Sequence, residues 1–423
     1  MTPDRKTLEK FLAINRKLNS TLNLSELLNI IMRTAAEVMR SEVASLLLFN
    51  ERRDELVFRV ALGEKGGDLI EKFRVRLGEG IAGHVAESGE AVVVNDVLTD
   101  KRFAKRFDEG TGFRSKAILC VPVRSQDGII GVLEAINPLD KRKFKAQDIQ
   151  LLQDFSDQAA IAIEKAELHK RLMDQEKVKQ ELKIAHEIQQ NFLPSLDNDS
   201  GPLDLFAHSS PARSVGGDFY DALTLSPTRY GILIADVSGK GVPAALMMVN
   251  AISNFRFLSV SQPGSAELMT RLNTLLVKES TRGMFITASY LILDIEKKTL
   301  QHSSAGHYPI LRRTHNGHVS ELANPGGIPL GLAADTVYDQ SEVGICPGDT
   351  YILYTDGISE ARNKNHEEYG LKRLMNIVTP APDTARKCGK KILADVGNFT
   401  SGASQHDDMT LIIVRLPLSK SSL

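Results

Sequence analysis

Hydrophobic and polar residues follow two different rhythms along the first third of the chain. Residues 7–18 and 26–40 place apolar side chains at helical spacing, and Asn23-Leu24-Ser25 precedes the second run as a helix-capping sequence. Apolar runs separated by charged turns then predict β-strands, with one short helix among them at 81–87. The predicted strands are 44–50, 55–61, 73–76, 91–94, 115–123 and 129–136. Successive strands with helices at both ends predict an α+β domain.

Residues 145–192 contain neither glycine nor proline and are rich in strong helix formers, which predicts one long helix that ends before Pro194. Apolar residues recur on it at near-heptad spacing, with a break between Leu172 and Val178. These residues are Ile161, Leu168, Leu172, Val178, Leu182, Ala185 and Ile188. The pattern favours a coiled-coil dimer with a weak centre, in which two helix registers lie close in energy. A single solvated helix is the alternative.

Beyond Pro194, short apolar runs are separated by turn residues, and several neighbouring runs form hairpin patterns. The predicted strands are 203–209, 229–236, 288–294, 299–305, 307–313, 350–354 and 409–415. The predicted helices are 242–258, 266–280, 371–378 and 384–397. This order predicts an α/β sandwich of two antiparallel sheets flanked by helices.

Composition excludes several classes of protein. The chain has 423 residues, enough for two or three domains, and its 52 basic and 53 acidic residues give no electrostatic reason to expect nucleic acid or a membrane as partner. It has neither a secretory signal nor an apolar run of about 20 residues that would span a membrane. The three cysteines lack metal-binding spacing and indicate a reducing cytoplasm. Cys120 and Cys346 are expected to be buried apolar side chains, and zinc is not expected.

Four aspartates stand beside glycines or at the ends of predicted strands. Asp218 follows Gly216-Gly217, Asp236 ends a long apolar run, Asp356 follows another, and Asp407 precedes the last strand. Each alone could be an ordinary turn residue. Together they describe an oxygen-only environment typical of magnesium or manganese rather than zinc. Two such ions can generate a hydroxide and stabilise an in-line displacement at phosphorus.

Three other motifs suggest functions that their surroundings exclude. Residues 78–83 spell GxGxxG, but the flanking strands form hairpin patterns, so a loop rather than a dinucleotide site is expected. Lys240 lies near glycines, but Ile234 and Gly241 stand where a phosphate-binding P-loop needs Gly and Ser or Thr. His186 lies on the long helix of a chain that has no ATP-binding motif, so a histidine kinase is not expected.

Residues 77–97, together with the strands at 117–123 and 131–137, resemble the GAF domain family over about residues 18–165. The resemblance implies a six-stranded antiparallel sheet flanked by helices, in a module that often dimerises and binds a small ligand. The family's cyclic-nucleotide pattern is incomplete, since Pro138 and Ile149 replace its Lys and Glu. A cyclic nucleotide is therefore not expected, and the ligand stays unknown.

Six ordered motifs in the second half of the chain resemble the PPM serine/threonine phosphatases, and more closely their bacterial sigma-regulatory branch of the RsbU and SpoIIE type. The motifs are VGGDFYD, IADVSGKGVPAALMM, SSAGHYPIL, IPLGL, LYTDGISEA and DDMTLIIV. The resemblance covers about residues 185–416 and implies two divalent cations, Mn²⁺ or Mg²⁺. It also implies a phosphorylated protein as substrate, in this branch a STAS-type anti-sigma-factor antagonist.

The resemblance also assigns roles to particular residues. By motif, Asp236 would bridge both metals, and the carbonyl of Val237 would bind the second. Asp356 and Asp407 would complete the shell of the first, and Asp218 would hold metal-bound water. The water that bridges the two metals would attack phosphorus. For another group of residues the roles stay open between structure, substrate binding and catalysis. These are Asp221, Asp408, His307, Arg213 and Lys240.

The sequence thus predicts a cytoplasmic, metal-dependent serine/threonine protein phosphatase controlled by a GAF sensor. The expected parts are a leading helix at 1–18, the GAF domain at 19–160, a coiled-coil signalling helix at 161–195 and the phosphatase domain at 196–418. A homodimer through the GAF domain and the coiled coil is expected. A non-catalytic scaffold that binds a phosphoprotein or partner kinase is the alternative, and a GAF domain that only dimerises is a third possibility.

Overall fold

A computed structural model describes residues 23–62, 73–139, 142–196, 202–279, 283–380 and 384–417. The leading helix predicted for residues 1–18 lies outside the described residues. The chain divides into two compact units, Met1–Lys177 and Val178–Leu423. The boundary between the units falls inside the long helix, and the domain limits expected from the sequence stay predictions.

The N-terminal unit is built on one six-stranded antiparallel sheet, which confirms the predicted architecture. Its strand order is β3-β2-β1-β6-β5-β4. The strands are β1 (Ser41–Phe49), β2 (Glu55–Ala61), β3 (Arg74–Arg76), β4 (Val92–Val94), β5 (Ile118–Ser125) and β6 (Gly128–Pro138). The two long central strands pair over most of their length, with Ser45 opposite Glu134.

Helices cover both faces of this sheet. Helix α1 (Leu24–Met39) begins at Asn23, whose side chain accepts a hydrogen bond from the backbone N–H of Glu26 as the sequence predicted. It packs on one face together with the start of the long helix, and the short helix α2 (Gly80–Ser88) packs on the other. A third helix, α3 (Arg106–Thr111), was not predicted, because six residues are too few to show a periodic pattern.

The GxGxxG motif forms a tight turn between β3 and α2. A Cβ on Gly83 would stand 2.3 Å from the carbonyl oxygen of Arg76, so only glycine allows the helix to begin this close to the strand. All strands of the sheet are antiparallel, whereas a dinucleotide fingerprint requires a parallel βαβ unit. The expectation of a structural loop is confirmed.

The long helix α4 runs without interruption from Ala146 to Gln190, within two residues of the predicted limits. Five of its seam residues expose between 50% and 59% of their surface. These are Ile161, Leu168, Leu172, Val178 and Ile188. The helix is confirmed, and its pairing with a second copy stays a prediction.

The C-terminal unit contains two five-stranded antiparallel sheets, as the sequence predicted. The first has the order β14-β11-β10-β9-β8 and the second β13-β12-β15-β16-β7. The first sheet contains β8 (Phe219–Ser226), β9 (Arg229–Val237), β10 (Ile286–Asp294), β11 (Thr299–Ala305) and β14 (Ser341–Gly344). The second contains β7 (Asp204–Ser210), β12 (Leu311–Arg313), β13 (Val319–Glu321), β15 (Thr350–Tyr354) and β16 (Met409–Arg415).

Three apolar clusters hold this unit together. One joins inward-facing residues of both sheets, and the other two lie beneath the outer helices. The helices are α5 (Val242–Ser259), α6 (Ser265–Glu279), α7 (Asp356–Ser359), α8 (Leu371–Val378) and α9 (Ala385–Thr400). Strand β12 begins only at Leu311, because Pro309 lacks the N–H that the predicted strand would need. Strand β8 was missed because its polar residues hide the alternation.

Two expectations about side chains and membranes can be checked directly. Cys120 and Cys388 are buried, but Cys346 is exposed, so the prediction that it is a core residue was wrong. Its backbone N–H bonds the carboxylate of Asp349 in the turn before β15, and this places it at the surface. Among the described helices, none combines the length and the apolar character that crossing a bilayer requires.

Candidate active site

The four predicted aspartates lie where strands of the two sheets end. Asp236 is near the end of β9, and Asp218 directly precedes the neighbouring strand β8, whose Phe219 pairs with Ala235. In the other sheet, Asp356 follows β15, and Asp407 lies two residues before β16. Each sheet therefore contributes two carboxylates from a pair of adjacent strands.

A threonine fixes Asp218 against the second sheet. The hydroxyl of Thr355 donates to Oδ2 of Asp218 at 2.6 Å. The hydroxyl oxygen of Thr355 in turn accepts a hydrogen bond from the backbone N–H of Thr410 at 3.0 Å. Because Thr355 and Thr410 belong to the second sheet and Asp218 to the first, this chain of bonds holds the two pairs of aspartates together. In the sequence, the only signal for Thr355 is its place directly before Asp356.

Asp408 anchors the glycine loop that precedes Asp218. Its carboxylate accepts hydrogen bonds from the backbone N–H groups of Ala212 and Gly217, both at 2.7 Å. A Cβ on Gly217 would also lie 2.9 Å from the carbonyl oxygen of Val237, the predicted metal ligand. The loop therefore packs directly against the end of β9, which requires glycine. Of the roles left open for Asp408, this contact supports a positioning one.

Mutual repulsion shows that the acids share one electrostatic environment. Burial, then the charge of Asp356 and smaller effects from Asp407 and Asp408, together raise the pKa of Asp236 to about 7. Burial and then the charge of Asp236 raise the pKa of Asp218 well above its usual range. Burial and then Asp407 raise the pKa of Asp356. Concentrated negative charge of this kind is stabilised by a bound cation.

Lys240 supplies one positive charge to the cluster. Its ammonium group lies 2.8 Å from Oδ2 of Asp407 and also donates to the carbonyl oxygen of His406 at 3.0 Å. Asp407 is thus paired with a side chain of the turn that follows β9. Arg213, the other candidate for a substrate phosphate, is exposed.

Two more candidates have structural partners. Asp221 is almost completely buried and accepts hydrogen bonds from Arg256 on α5, the closer at 2.6 Å. His307 is buried, and its Nδ1 lies 2.9 Å from the hydroxyl of Thr287, the residue that pairs with Asp236 across the sheet. Burial lowers the pKa of His307 to about 4, so the ring is neutral near pH 7. Its Nε2 has no hydrogen-bond partner among the described residues.

The donor set suits a hard divalent cation, because carboxylates and a backbone carbonyl are the ligands that magnesium and manganese prefer. Among the described residues, however, no group of three or more acidic, histidine or cysteine side chains already has the arrangement of a metal site. The structure therefore brings the predicted carboxylates together without placing them in ligand geometry. The pairing of Asp407 with Lys240 is one reason, since it directs that carboxylate to an ammonium group.

Gln189 near the end of α4 is a further buried residue that sequence reasoning missed. Its side-chain amide donates to the carbonyl oxygen of Gly216 at 2.7 Å, and its amide oxygen accepts from the N–H of the same residue at 3.2 Å. The amide also lies 3.7 Å from the sulfur of Met248 on α5. One side chain thus touches both the glycine loop and the helix that follows β9. A lone Gln on a polar helix gives no signal of such a contact.

Two family models match the chain. The model of stage II sporulation protein E (SpoIIE) matches residues 226–417, a range that includes Asp236, Asp356 and Asp407. The GAF domain model matches residues 23–163. The fold and the cluster of strand-end carboxylates agree with these matches. The chain therefore contains a GAF domain followed by a PPM-type phosphatase domain, and that second domain is of the RsbU and SpoIIE kind.

Individual relatives agree with the match of the second domain. Protein IcfG of Synechocystis sp. is 30% identical over 261 residues, which cover 55% of this chain and 41% of IcfG. Phosphoserine phosphatase RsbU of Bacillus subtilis is 29% identical over 247 residues, which cover 57% of this chain and 71% of RsbU. The SiaA-PP2C domain of Pseudomonas aeruginosa has the same fold, with a TM-score of 0.52 and 24% identity over 57% of this chain and 98% of that domain. The alignment with IcfG thus spans less than half of that relative.

Proposed function

We propose that this chain is a metal-dependent protein phosphatase that hydrolyses phosphoserine or phosphothreonine on a regulatory protein. The observation that carries the proposal is the cluster of four aspartates at the strand ends of two sheets, where burial and neighbouring charges raise the pKa of Asp218, Asp236 and Asp356. RsbU, a relative by sequence, is named a phosphoserine phosphatase. By the resemblance to the sigma-regulatory branch, the substrate is a phosphorylated STAS-type protein.

The proposed metal ligands are Asp236, the carbonyl of Val237, Asp356 and Asp407, with Asp218 beside them. Two Mn²⁺ or Mg²⁺ ions, when bound, would activate water and stabilise the negative charge that develops at phosphorus. The chain's own contribution is to hold these oxygens in place before substrate arrives. Thr355 fixes the rotamer of Asp218, and Asp408 holds the glycine loop against β9. Such outer contacts tune metal affinity in most metal sites.

The decisive experiment measures phosphate release from candidate phosphorylated STAS proteins, with and without Mn²⁺, by the wild type and Asp236→Asn. We expect a loss of at least about a thousandfold, roughly 4 kcal/mol of barrier, because the variant lacks one of the carboxylate charges that would hold the ions. Asp335→Asn is the matched control, since it changes the same group at an exposed position of the same unit. A chromogenic phosphate ester serves as a second substrate in parallel.

The outcomes separate the two functions. Activity of Asp236→Asn near that of the wild type would contradict the proposed site. Binding of the phosphoprotein without any manganese-stimulated turnover of either substrate would favour the non-catalytic scaffold. Turnover of the ester but of no STAS protein would keep the phosphatase and remove the proposed substrate class.

We further propose that the GAF domain controls this activity through α4, in a homodimer. Two observations support this. Apolar residues at coiled-coil spacing stay exposed on the helix, among them Leu168 and Leu172, which a second copy would cover. At the other end, Gln189 bonds both backbone groups of Gly216, two residues before Asp218. A small rotation or shift of the helix end would thus move the glycine loop.

Gln189→Ala tests the contact, with Gln190→Ala as the control from the same turn of the helix. Removing Gln189 leaves two buried backbone groups unpaired at Gly216, so we expect activity to fall about tenfold or more while the C-terminal unit stays folded. Equal activity in both variants would contradict coupling through this residue. Light scattering of the full chain measures the oligomeric state separately, and a monomer would contradict the dimer.

A further inference from the structure

A cavity of about 570 Å³ lies in the N-terminal unit, between the sheet and helices α2 and α3. Its size is within the range of about 300–1,000 Å³ that small-molecule sites occupy. Four of the residues that line it are acidic: Glu42, Glu79, Asp108 and Glu134. Among the lining residues that the structure describes there is no lysine, arginine or histidine.

Three of the four acids are already engaged by the protein. Glu42 accepts a hydrogen bond from the side-chain amide of Asn137 at 2.8 Å. Glu79 forms an ion pair with Arg106 and also accepts a backbone N–H. Asp108 accepts from both the N–H and the hydroxyl of Ser115, each at 2.7 Å. These contacts shape the wall of the cavity, and they leave the three carboxylates with little capacity to form hydrogen bonds to a ligand.

Glu134 differs from the other three. It is only 7% exposed, and no described residue forms a hydrogen bond or ion pair with it. Ser45, its partner across β1 and β6, also lines the cavity, is 1% exposed, and has an unpartnered hydroxyl in the described part of the chain. Directly opposed side chains of antiparallel strands lie about 5 Å apart. A carboxylate and a hydroxyl without partners therefore face the same cavity side by side.

The remaining wall is largely apolar and aromatic, with phenylalanines from four different segments. These are Phe58, Phe103, Phe107 and Phe113. Aromatic rings attract cations through their electron-rich faces, and a buried carboxylate requires a positive or hydrogen-donating partner. An anion such as a phosphate would meet four acidic side chains and no described basic one. The chemistry of the wall thus selects against anions.

We propose that this cavity binds a small organic cation, an ammonium group on a flat apolar body, through the Glu134 carboxylate and the Ser45 hydroxyl. The aromatic wall would hold the apolar body, and the ammonium group would give Glu134 the partner it lacks. Burial raises the pKa of Glu134 to about 7, and a bound cation would favour the charged carboxylate. The proposal names the chemistry of a signal for the GAF domain and does not depend on the phosphatase activity.

Three indoles of nearly equal size test it on the full chain at pH 8: tryptamine as the cation, tryptophol as the neutral analogue and indole-3-acetate as the anion. The chain contains no tryptophan, so indole fluorescence anisotropy arises from the probe alone. We expect tryptamine to bind at least tenfold more tightly than tryptophol, and indole-3-acetate most weakly. Anion binding as tight as cation binding, or no cation binding at millimolar concentration, would overturn the proposal.

Glu134→Gln tests whether the preference for tryptamine arises at Glu134, because the substitution keeps the size of the side chain and removes its charge. We expect this variant to bind tryptamine and tryptophol equally, and Ser45→Ala to weaken tryptamine by a few fold. Glu109→Gln is the matched control, since Glu109 is exposed on α3 and does not line the cavity. A tryptamine preference that survives in Glu134→Gln would contradict the assignment even if the cavity binds the probe. Far-UV circular dichroism checks that each variant is folded.

Discussion

Two carboxylates in this chain, one in each unit, have their pKa raised to about 7 for different reasons. Burial alone raises the pKa of Glu134, although three other acidic side chains line the same cavity. For Asp236, burial is again the largest cause, but the charges of Asp356, Asp407 and Asp408 add to it. The pKa of the first carboxylate reflects burial without an effect of neighbouring charges, and the second carboxylate is one member of a crowded group.

The difference indicates what each site is suited to bind. One proton or one singly charged group satisfies an isolated carboxylate, and the surrounding phenylalanines favour an organic ion over a hydrated metal. Several carboxylates at strand ends repel one another, and a small ion of higher charge relieves that repulsion best. Similar pKa values therefore correspond to different ligands, because the number of neighbouring charges differs.

Glu134→Gln gives the largest stability effect that this comparison predicts. The folded state favours the protonated carboxyl, so wild-type stability falls as pH rises from the ordinary pKa of 4.5 through about 7, and is level above that. The stability of the variant does not fall in this way, because glutamine has no carboxyl group to ionise. We expect its N-terminal unit to be more stable than the wild type by about 3 kcal/mol at pH 8, with the difference nearly gone near pH 4.5.

Urea unfolding between pH 4.5 and 8 measures this effect. All eight tyrosines lie in the C-terminal unit, so tyrosine fluorescence follows that unit, while far-UV circular dichroism follows both. Other titratable groups lie near Glu134. Cys120 faces it from β5, and Glu42, Glu79 and Asp108 line the same cavity. Glu109→Gln should show the wild-type pH dependence. A pH-independent difference between Glu134→Gln and wild type would mean that Glu134 is not the group that titrates.

The sequence predicted the two regions unequally. The strand-end aspartates were identifiable because each follows or precedes an apolar run and stands beside a glycine or in a family motif, and such local patterns survive without knowledge of the fold. Asp236, Asp356 and Asp407 could be placed at strand ends in this way. The way in which these aspartates come together in space could not be predicted. It depends on hydrogen bonds of Thr355 and Asp408, whose partners are about 140 to 200 residues distant in sequence.

The cavity gave no comparable signal. Glu134 lies in the apolar run of β6, where it would pass for an outward-facing residue of an alternating strand. Its burial follows from helices α2 and α3 packing over that face, and α3 was itself too short to predict. Ser45 meets Glu134 only because β1 and β6 pair across about 90 residues of sequence. The burial of Glu134 and its pairing with Ser45 depend on contacts between distant parts of the sequence, which a local hydrophobic pattern does not contain.

Asp408→Ala tests whether the crowded site depends on its anchoring contacts as well as on its charges. The change leaves the N–H groups of Ala212 and Gly217 without their acceptor. We expect the C-terminal unit to lose about 2 kcal/mol of stability in urea, followed by tyrosine fluorescence, and the affinity for Mn²⁺ to fall about tenfold. Asp335→Ala controls for the loss of one exposed charge. Unchanged stability would show that water replaces Asp408 at no cost.

Lys240→Gln gives the smallest and most discriminating effect. The ion pair of Lys240 with Asp407 is about one-third exposed on both sides, so its loss should change the free energy of unfolding by less than about 1 kcal/mol.

The effect of Lys240→Gln on metal binding should have the opposite sign to that of Asp408→Ala. Without the ammonium group, Asp407 is free to turn toward a cation and the cluster is one charge more negative. Isothermal titration should therefore show Mn²⁺ binding a few fold more tightly, most clearly at low salt, while Lys372→Gln on α8 leaves it unchanged. Weaker binding would instead mean that Lys240 holds Asp407 in the orientation the metal needs, and that the crowded site, unlike Glu134, has an internal cation as part of its design.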